Sequence, residues 1–383
     1  MSSIIPDYDV VIVGGGLAGL VSACILADDN RKVLLIEKKE YPFHKVCGEY
    51  ISNEVLGYLQ SLGFDPLQYG ASDITKLRIS TPAGKNVYTD LDLGGFGISR
   101  HLMDNALCEL AKQKAATVWT NTKVTDVRFT DEQFSVEISG RDSVMAKLVI
   151  GSYGKRDVLD KKLNRDFIQK HTGYMGVKYH VRLDYPVDEI GLDNFDGGYC
   201  GIVKIEEDKY NICYLYKRNE KVRFKSVREL EERVLCKNPR LREIFTSATF
   251  VTEAPEAINE ICFSSKQLVE NHILMCGDAA GLITPLCGNG MSMAIGGAKL
   301  LGELIIKSRL LDHNCINKDE RKKLEQEYCN KWQRQFGSRL FWGRALQGIF
   351  GIPMVSDLCI RSLALVPPAN RWLMAATHGR PLV

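Results

Sequence analysis

Gly14, Gly16 and Gly19 follow a short apolar run at residues 9–13, and a carboxylate, Glu37, stands eighteen residues after the last of them. Glycines at this spacing suit an anionic dinucleotide. The first allows a tight turn, the second lets a pyrophosphate reach the backbone, and the third lets a helix pack closely on a strand. Unpaired amides at the helix start, with the positive end of its dipole, then hold the phosphates. Glu37 is placed to accept both hydroxyls of an adenosine ribose, which predicts a free 2′-hydroxyl. FAD and NAD share this arrangement, so these residues alone do not choose between them. The elements that must position them are a strand over residues 9–13, a helix running to Ala27 and a second strand over residues 32–37.

Composition narrows the remaining classes. With 383 residues, 45% hydrophobic and 25% charged, the chain can bury a sizeable core in two joined domains. Its net charge of +3, with no dense Lys/Arg block, offers nucleic acid no electrostatic footprint. Twelve cysteines without a CxxC pair suit reduced thiols, and no metal is expected. The N-terminus lacks the basic region and apolar core of a secretory signal, and no apolar run reaches the ~20 residues that span a bilayer. A cytoplasmic protein, in contact with the membrane surface at most, is the expectation.

Further along, residues 42–49 form a proline-broken loop, Pro-Phe-His-Lys-Val-Cys-Gly-Glu, followed by a helix to Leu62 that Ser52 or Asn53 could cap. Residues 75–90 read as a hairpin, and Ser99 as the N-cap of a helix to Lys114. Strands are expected over 118–127, 135–139 and 146–150. Residues 165–264 carry strand patterns at 173–183, 199–205 and 210–216 and one charged helix at 226–235. A strand over 272–278 ends at Asp278, and a Pro285 to Gly290 turn opens a small-residue helix from Met291 to about Lys307. Residues 318–335 read as a solvated charged helix. Residues 340–372 read as apolar helices covering the sheet, with part of their surface left as a lipid entrance or membrane contact.

On the glycine turn, the strand ending in Gly277-Asp278 and the turn at Pro285, Gly288, Asn289 and Gly290, the chain resembles the superfamily of FAD-dependent monooxygenases and geranylgeranyl reductases. The resemblance implies an α/β fold: a Rossmann-like FAD-binding domain (1–74, 97–158 and 265–330) interleaved with a mixed β-sheet substrate domain (75–96 and 159–264). Residues 331–383 would form a closing helical segment. It implies that Asp278 binds the ribityl chain and that the backbone at Pro285, Gly288, Asn289 and Gly290 approaches the flavin ring. Arg100 would lie near the FAD phosphates and Val124 near the adenine. Residues 42–49 resemble the cysteine-glycine loop of the geranylgeranyl reductase branch, which places Lys45 and Cys47 beside the reaction chamber. His44 is a candidate acid or base by its chemistry alone.

Two departures from the superfamily's patterns bear on activity. Tyr153-Gly154 stands where many hydroxylases carry Asp-Gly, which leaves NAD(P)H or a separate reductase open as electron donor. The WxWxIP signature of tryptophan halogenases is missing. The leading expectation is therefore an FAD-dependent monooxygenase acting on an apolar or aromatic small molecule with reduced flavin and oxygen. The alternatives are reduction of lipid or polyprenyl double bonds and a non-catalytic flavin-binding protein. Neither catalytic residues nor oligomeric state can be read from the sequence.

Overall fold

The computed structural model describes residues 5–219, 222–284, 288–313, 316–349 and 379–382. Two sheets organise it. The first has eight strands, with Tyr8–Val13 at its centre. That strand pairs in parallel with Val33–Ile36 on one side and Val144–Gly151 on the other. Thr117–Trp119 and Ile273–Met275 extend the sheet, again in parallel. Strands buried on both faces must be apolar throughout, and Val10, Val11, Ile12, Leu34 and Leu35 are fully buried. The helix Leu17–Asp28 packs on this sheet, and Gly290–Ser308 packs against Leu17–Asp28. Leu17–Asp28 is buried along nearly its whole length, so its apolar residues show no single face.

The second sheet has nine strands. Tyr174–Arg182, Tyr210–Lys217, Gly198–Lys204 and Glu189–Phe195 form an antiparallel run, and Glu189–Phe195 then pairs in parallel with Ser72–Ser80. Ser72–Ser80 and Asn86–Gly97 are the expected hairpin, longer at both ends than its alternation suggested. One face of this sheet packs under helices Val227–Arg233 and Pro239–Ser247 through Val177, Ile212 and Tyr214. The other face carries Leu215 and Tyr199 and turns toward the first sheet.

Some elements differ from their sequence pattern. The strand expected over 118–127 is two, Thr117–Trp119 and Val124–Thr130, because Asn121 turns the chain at φ 48°. Glu189–Phe195 and Pro239–Ser247 were not anticipated. The expected solvated helix is part of one continuous helix, Lys318–Ile349, and it is not solvated on every side. Leu324, Tyr328, Trp332 and Phe336, at four-residue spacing, are buried in the main core. Ser99 caps its helix as expected, its hydroxyl accepting from the Leu102 amide at 3.1 Å, and Ser52 caps the turn at Asn53–Val55. Pro285 and most of the C-terminal apolar segment lie outside the described residues.

Candidate active site

Between the two sheets lies one cavity of about 700 Å³. Gly14, Gly16, Glu37, Lys45, Cys47, Arg100, Val124, Asp278, Gly288 and Gly290 all line it. Gly19 does its work behind the cavity wall. A Cβ there would fall 2.0 Å from the Gly14 carbonyl oxygen and 2.6 Å from Ser152 Oγ, so only glycine lets the helix approach the strand. Asn289 is fully buried at the start of the helix Gly290–Ser308.

Three groups meet at the start of the helix Leu17–Asp28: its free amides, Lys45 and Arg100. Gly16 begins the helix Leu17–Asp28 with no side-chain cap, leaving the first amides to a ligand. A Cβ on Gly16 would point at two cations, with Lys45 Nζ 3.7 Å away and Arg100 Nη2 3.8 Å away. Asp104 holds both cations: Arg100 is bidentate to it at 2.6 and 2.7 Å, and Lys45 Nζ lies 3.0 Å from Oδ2. Burial raises the Asp104 pKa, but Arg100 and Lys45 outweigh it and the net shift is down. Burial likewise lowers the Lys45 pKa, and Asp104 offsets only part of that. An uncapped helix start facing two cations fits a pyrophosphate, which FAD carries.

Glu37 lines the cavity beside the glycine turn. Its Oε2 accepts from the Gly15 amide at 2.8 Å and its Oε1 from the Lys39 amide at 3.0 Å, so the carboxylate fixes the glycine turn as well as facing the cavity. Tyr41 adds to this by donating to the Gly15 carbonyl at 2.5 Å. At the other end, Asp278 sits in the turn Gly277–Ala279 after strand Ile273–Met275. Lys266 Nζ donates to the carbonyls of Asp278 (2.7 Å) and Lys155 (3.0 Å), and Arg165 to that of Ala279 (3.0 Å). The helix Gly290–Ser308 points its N-terminus into the cavity, where its dipole would stabilise a reduced flavin.

The loop of residues 42–49 runs along this cavity. Cys47 Sγ lies 3.5 Å from Met291 Sδ, in the first turn of the helix Gly290–Ser308. His44 stacks on His101 at 4.5 Å and meets His180 edge-on at 5.1 Å. Burial pushes the His44 pKa down to about 4, and Lys178, His180 and His101 add to the shift. At neutral pH the ring is uncharged, so of its two candidate roles only that of base or neutral donor is available. Tyr153 and Gly154, in place of the hydroxylase acid, line the same cavity, and the Tyr153 hydroxyl lies 3.3 Å from Met275 Sδ.

Several residues of this site were not singled out in the sequence. Asp104 had a local signal, its four-residue spacing from Arg100 on one helix. Lys178, His180 and Asn211 had none, because only the pairing of their two strands and the docking of the loop carrying Glu49 on that sheet bring them together.

A glycine turn between a central parallel strand and an uncapped helix, facing two cations across a cavity, has the build of a Rossmann-type nucleotide site. Residues 7–308 match the FAD binding domain family, and the chain belongs to it; it is an FAD-dependent oxidoreductase. Among curated proteins it is similar to the digeranylgeranylglycerophospholipid reductase of Methanosarcina acetivorans. The two are 25% identical over 345 residues, 86% of this chain and 81% of the relative. Among solved structures it shares its fold with a geranylgeranyl bacteriochlorophyll reductase-like protein of Thermoplasma acidophilum. That match has a TM-score of 0.71 at 18% identity and covers 97% of this chain and 92% of the other. It also shares its fold with the myxobacterial chondrochloren halogenase, a variant of FAD-dependent halogenases, with a TM-score of 0.75 at 16% identity over 98% and 94% of the two chains. Among the described residues no helix is long and apolar enough to cross a membrane.

Proposed function

We propose that the chain is a monooxygenase that inserts oxygen into an apolar or aromatic small molecule, with FAD held by the residues lining the glycine-turn half of the cavity. Gly14, Gly16, Arg100 and Lys45 take the pyrophosphate, Glu37 the ribose, Val124 the adenine edge and Asp278 the ribityl chain. The turn through Gly288, Asn289 and Gly290 meets the ring. Bound FAD supplies the redox chemistry; the chain supplies position, dryness and charge. The observation that carries the choice is the character of the other half. Leu77, Ile79, Leu91, Ile190, Leu192 and Leu215 make its wall. Cys213 also faces it, but burial pushes that thiol up to about 12. The Tyr214 hydroxyl is turned to the opposite face of the sheet, donating to Glu231 at 2.8 Å. Such a wall keeps water from a reactive oxygen adduct, which oxygen transfer requires.

Double-bond reduction is the second reading. Cys47 beside Met291, at the start of the helix Gly290–Ser308, supports it with a thiol on the side read as the flavin's, and the curated relative is named a lipid reductase. Rapid mixing of the photoreduced protein with oxygen, with and without candidate phenols and prenyl lipids, separates the two. Substrate-dependent oxygen consumption with one oxygen incorporated supports the first reading. Anaerobic reoxidation by a prenyl lipid overturns it in favour of the second. The apolar substrate would enter near Phe341 and Trp342, both exposed on the helix Lys318–Ile349, where a peripheral membrane contact would deliver it.

A further inference from the structure

Four consecutive residues of the cavity loop are each tied to the second sheet. Val46 fills the space that Gly176 leaves, since a Cβ on Gly176 would come within 3.2 Å of Val46 Cγ1. Asn211 Nδ2 donates to the carbonyls of Cys47 at 3.1 Å and Gly48 at 2.9 Å. Glu49 then turns fully inward, with no exposed surface, and adopts a left-handed backbone with φ 55° that a residue bearing a Cβ rarely takes. Its Oε1 accepts from Lys178, and its Oε2 lies 2.6 Å from His180 Nε2. Lys178 and His180 share a face of strand Tyr174–Arg182. Oε1 also accepts from the Arg100 amide at 2.8 Å. A single buried carboxylate thereby joins the substrate sheet, the loop carrying Lys45 and Cys47, and the helix carrying Arg100.

We infer that Glu49 is a positioning residue of this enzyme: with Lys178, His180 and Asn211 it sets the height of Cys47 against the flavin and the reach of Arg100 toward the pyrophosphate. The chemistry supports this assignment over a purely structural one. A buried ion pair is a poor source of stability, because desolvation of its charges consumes most of the attraction, yet it fixes geometry where apolar contacts would slide. Here it also holds a disfavoured backbone conformation next to a cavity. The Glu49 carboxylate stays ionised: burial would raise its pKa, and Lys178 together with the His180 hydrogen bond brings the net shift below the ordinary value.

The inference rests on FAD occupying the cavity as proposed, and the experiment separates the two. Glu49→Leu/Lys178→Met removes the bonds without stranding a buried charge. The flavin-loaded double variant is compared with the parent for thermal midpoint, FAD Kd, FAD reduction potential and the alkylation rate of Cys47, read by peptide mass. A positioning role predicts a folded protein whose FAD Kd rises at least tenfold, whose reduction potential moves, and whose Cys47 alkylates at least tenfold faster. A folded variant within twofold of the parent in Kd and alkylation rate overturns the inference while leaving the cofactor reading intact. A parent that retains no FAD overturns both. Should the double variant not fold, Asn211→Leu decides, since it removes only the donors to Cys47 and Gly48. Alkylation of Cys47 at least fivefold faster upholds the inference, and an unchanged rate overturns it.

Discussion

Arg100 lays its guanidinium flat against Asp104, one helical turn later, with two hydrogen bonds of 2.6 and 2.7 Å. The geometry is that of a bidentate fork, which fixes direction as well as charge, and a lysine could not reproduce it. Arg100→Lys is therefore expected to weaken FAD binding by roughly tenfold while leaving the fold intact. Asp104→Asn should act on the fold itself. It leaves Arg100 and Lys45 facing each other without their shared carboxylate, and breaking a buried pair on one side costs about 3 to 5 kcal/mol. Calorimetric titration of Arg100→Lys with FAD and urea unfolding of both variants check these expectations. An Asp104→Asn protein as stable as the parent would remove Asp104 from its assigned role.

Glu37 combines two tasks, and its substitution should reveal both. Glu37→Ala is expected to weaken FAD binding by about 1 to 3 kcal/mol, the range for charge-assisted hydrogen bonds. Part of that loss arises in the protein, because the Gly15 amide loses its 2.8 Å partner. Gly15→Ala tests the same turn by steric means. Its Cβ would fall 1.8 Å from the Tyr41 hydroxyl and 2.9 Å from Glu37 Cβ, so FAD binding should fail. Removing the hydroxyl with Tyr41→Phe in the same chain should restore part of it. Calorimetric titration of apoprotein with FAD measures each step, and Gly15→Ala binding at parent affinity would contradict the structure.

The turn at residues 14–19 and Glu37 could be read from sequence because local chemistry alone dictates them: the glycines are required by close approach and the carboxylate by a strand end. The Ser99 cap was legible for the same reason, whereas the strand expected over 272–278 is shorter, Ile273–Met275, and Asp278 lies in the turn Gly277–Ala279 that follows it. Glu189–Phe195 was not legible. Asp193 and Asn194 give it the look of a polar loop, yet both are fully buried. Arg78 is bidentate to Asp193 at 2.7 and 2.9 Å, and Asn194 donates to the Ser80 carbonyl at 2.8 Å. Strand propensity was overridden by partners more than a hundred residues away. Glu49 and Lys178 were hidden for the same reason, since a charged residue in sequence looks solvated until the fold buries its partner beside it.

Lys266 makes stability depend on alkaline pH. Burial pushes its pKa down to about 8, against the pull of Asp278 and Asp160. In the unfolded chain a lysine titrates near about 10.4, so between these values the unfolded state binds more protons than the folded one. Folding stability from this group therefore rises with pH through that window, and below about 8 the cost of burying the charge is fully present. Lys266→Met abolishes the dependence. Urea unfolding of flavin-loaded parent and variant at pH 7.5, 9 and 10 should show the parent gaining on the variant as pH rises. A difference that stays flat would show that Lys266 is not held in a charge-disfavouring environment.

The residues after strand Val144–Gly151 bear on the choice of electron donor. Tyr153 there directs its hydroxyl to Met275, and Gly154 takes a left-handed turn with φ 91°. An acid at this place in the hydroxylase pattern would serve reduced nicotinamide, and tyrosine cannot carry its charge at neutral pH. Anaerobic mixing with NADH or NADPH should reduce the bound flavin slowly, whereas a chemical or protein reductant should reduce it fully. Rapid flavin bleaching by either nicotinamide alone would refute this expectation.

Delivery of an apolar substrate makes a further demand on the surface. Phe341 is 62% exposed and Trp342 37% exposed, one beside the other on the helix Lys318–Ile349, with ring centroids 5.5 Å apart. Arg344 lies on the same stretch, tied to Ser265 at 3.0 Å, and the stem of such a side chain can rest on apolar groups while its head stays in water. Two aromatic rings next to a cation suit the interface of an anionic bilayer, where apolar burial and charge attraction add. One such patch gives weak binding that salt screens. The flavin-loaded protein should float with anionic liposomes at low salt and lose most of that association at high salt. Phe341→Ser/Trp342→Ser should abolish flotation and raise the KM for a membrane-borne substrate while sparing turnover of a soluble analogue. A folded parent that never floats ends the membrane part of this reading. A double variant with unchanged KM for the membrane-borne substrate ends the entrance part.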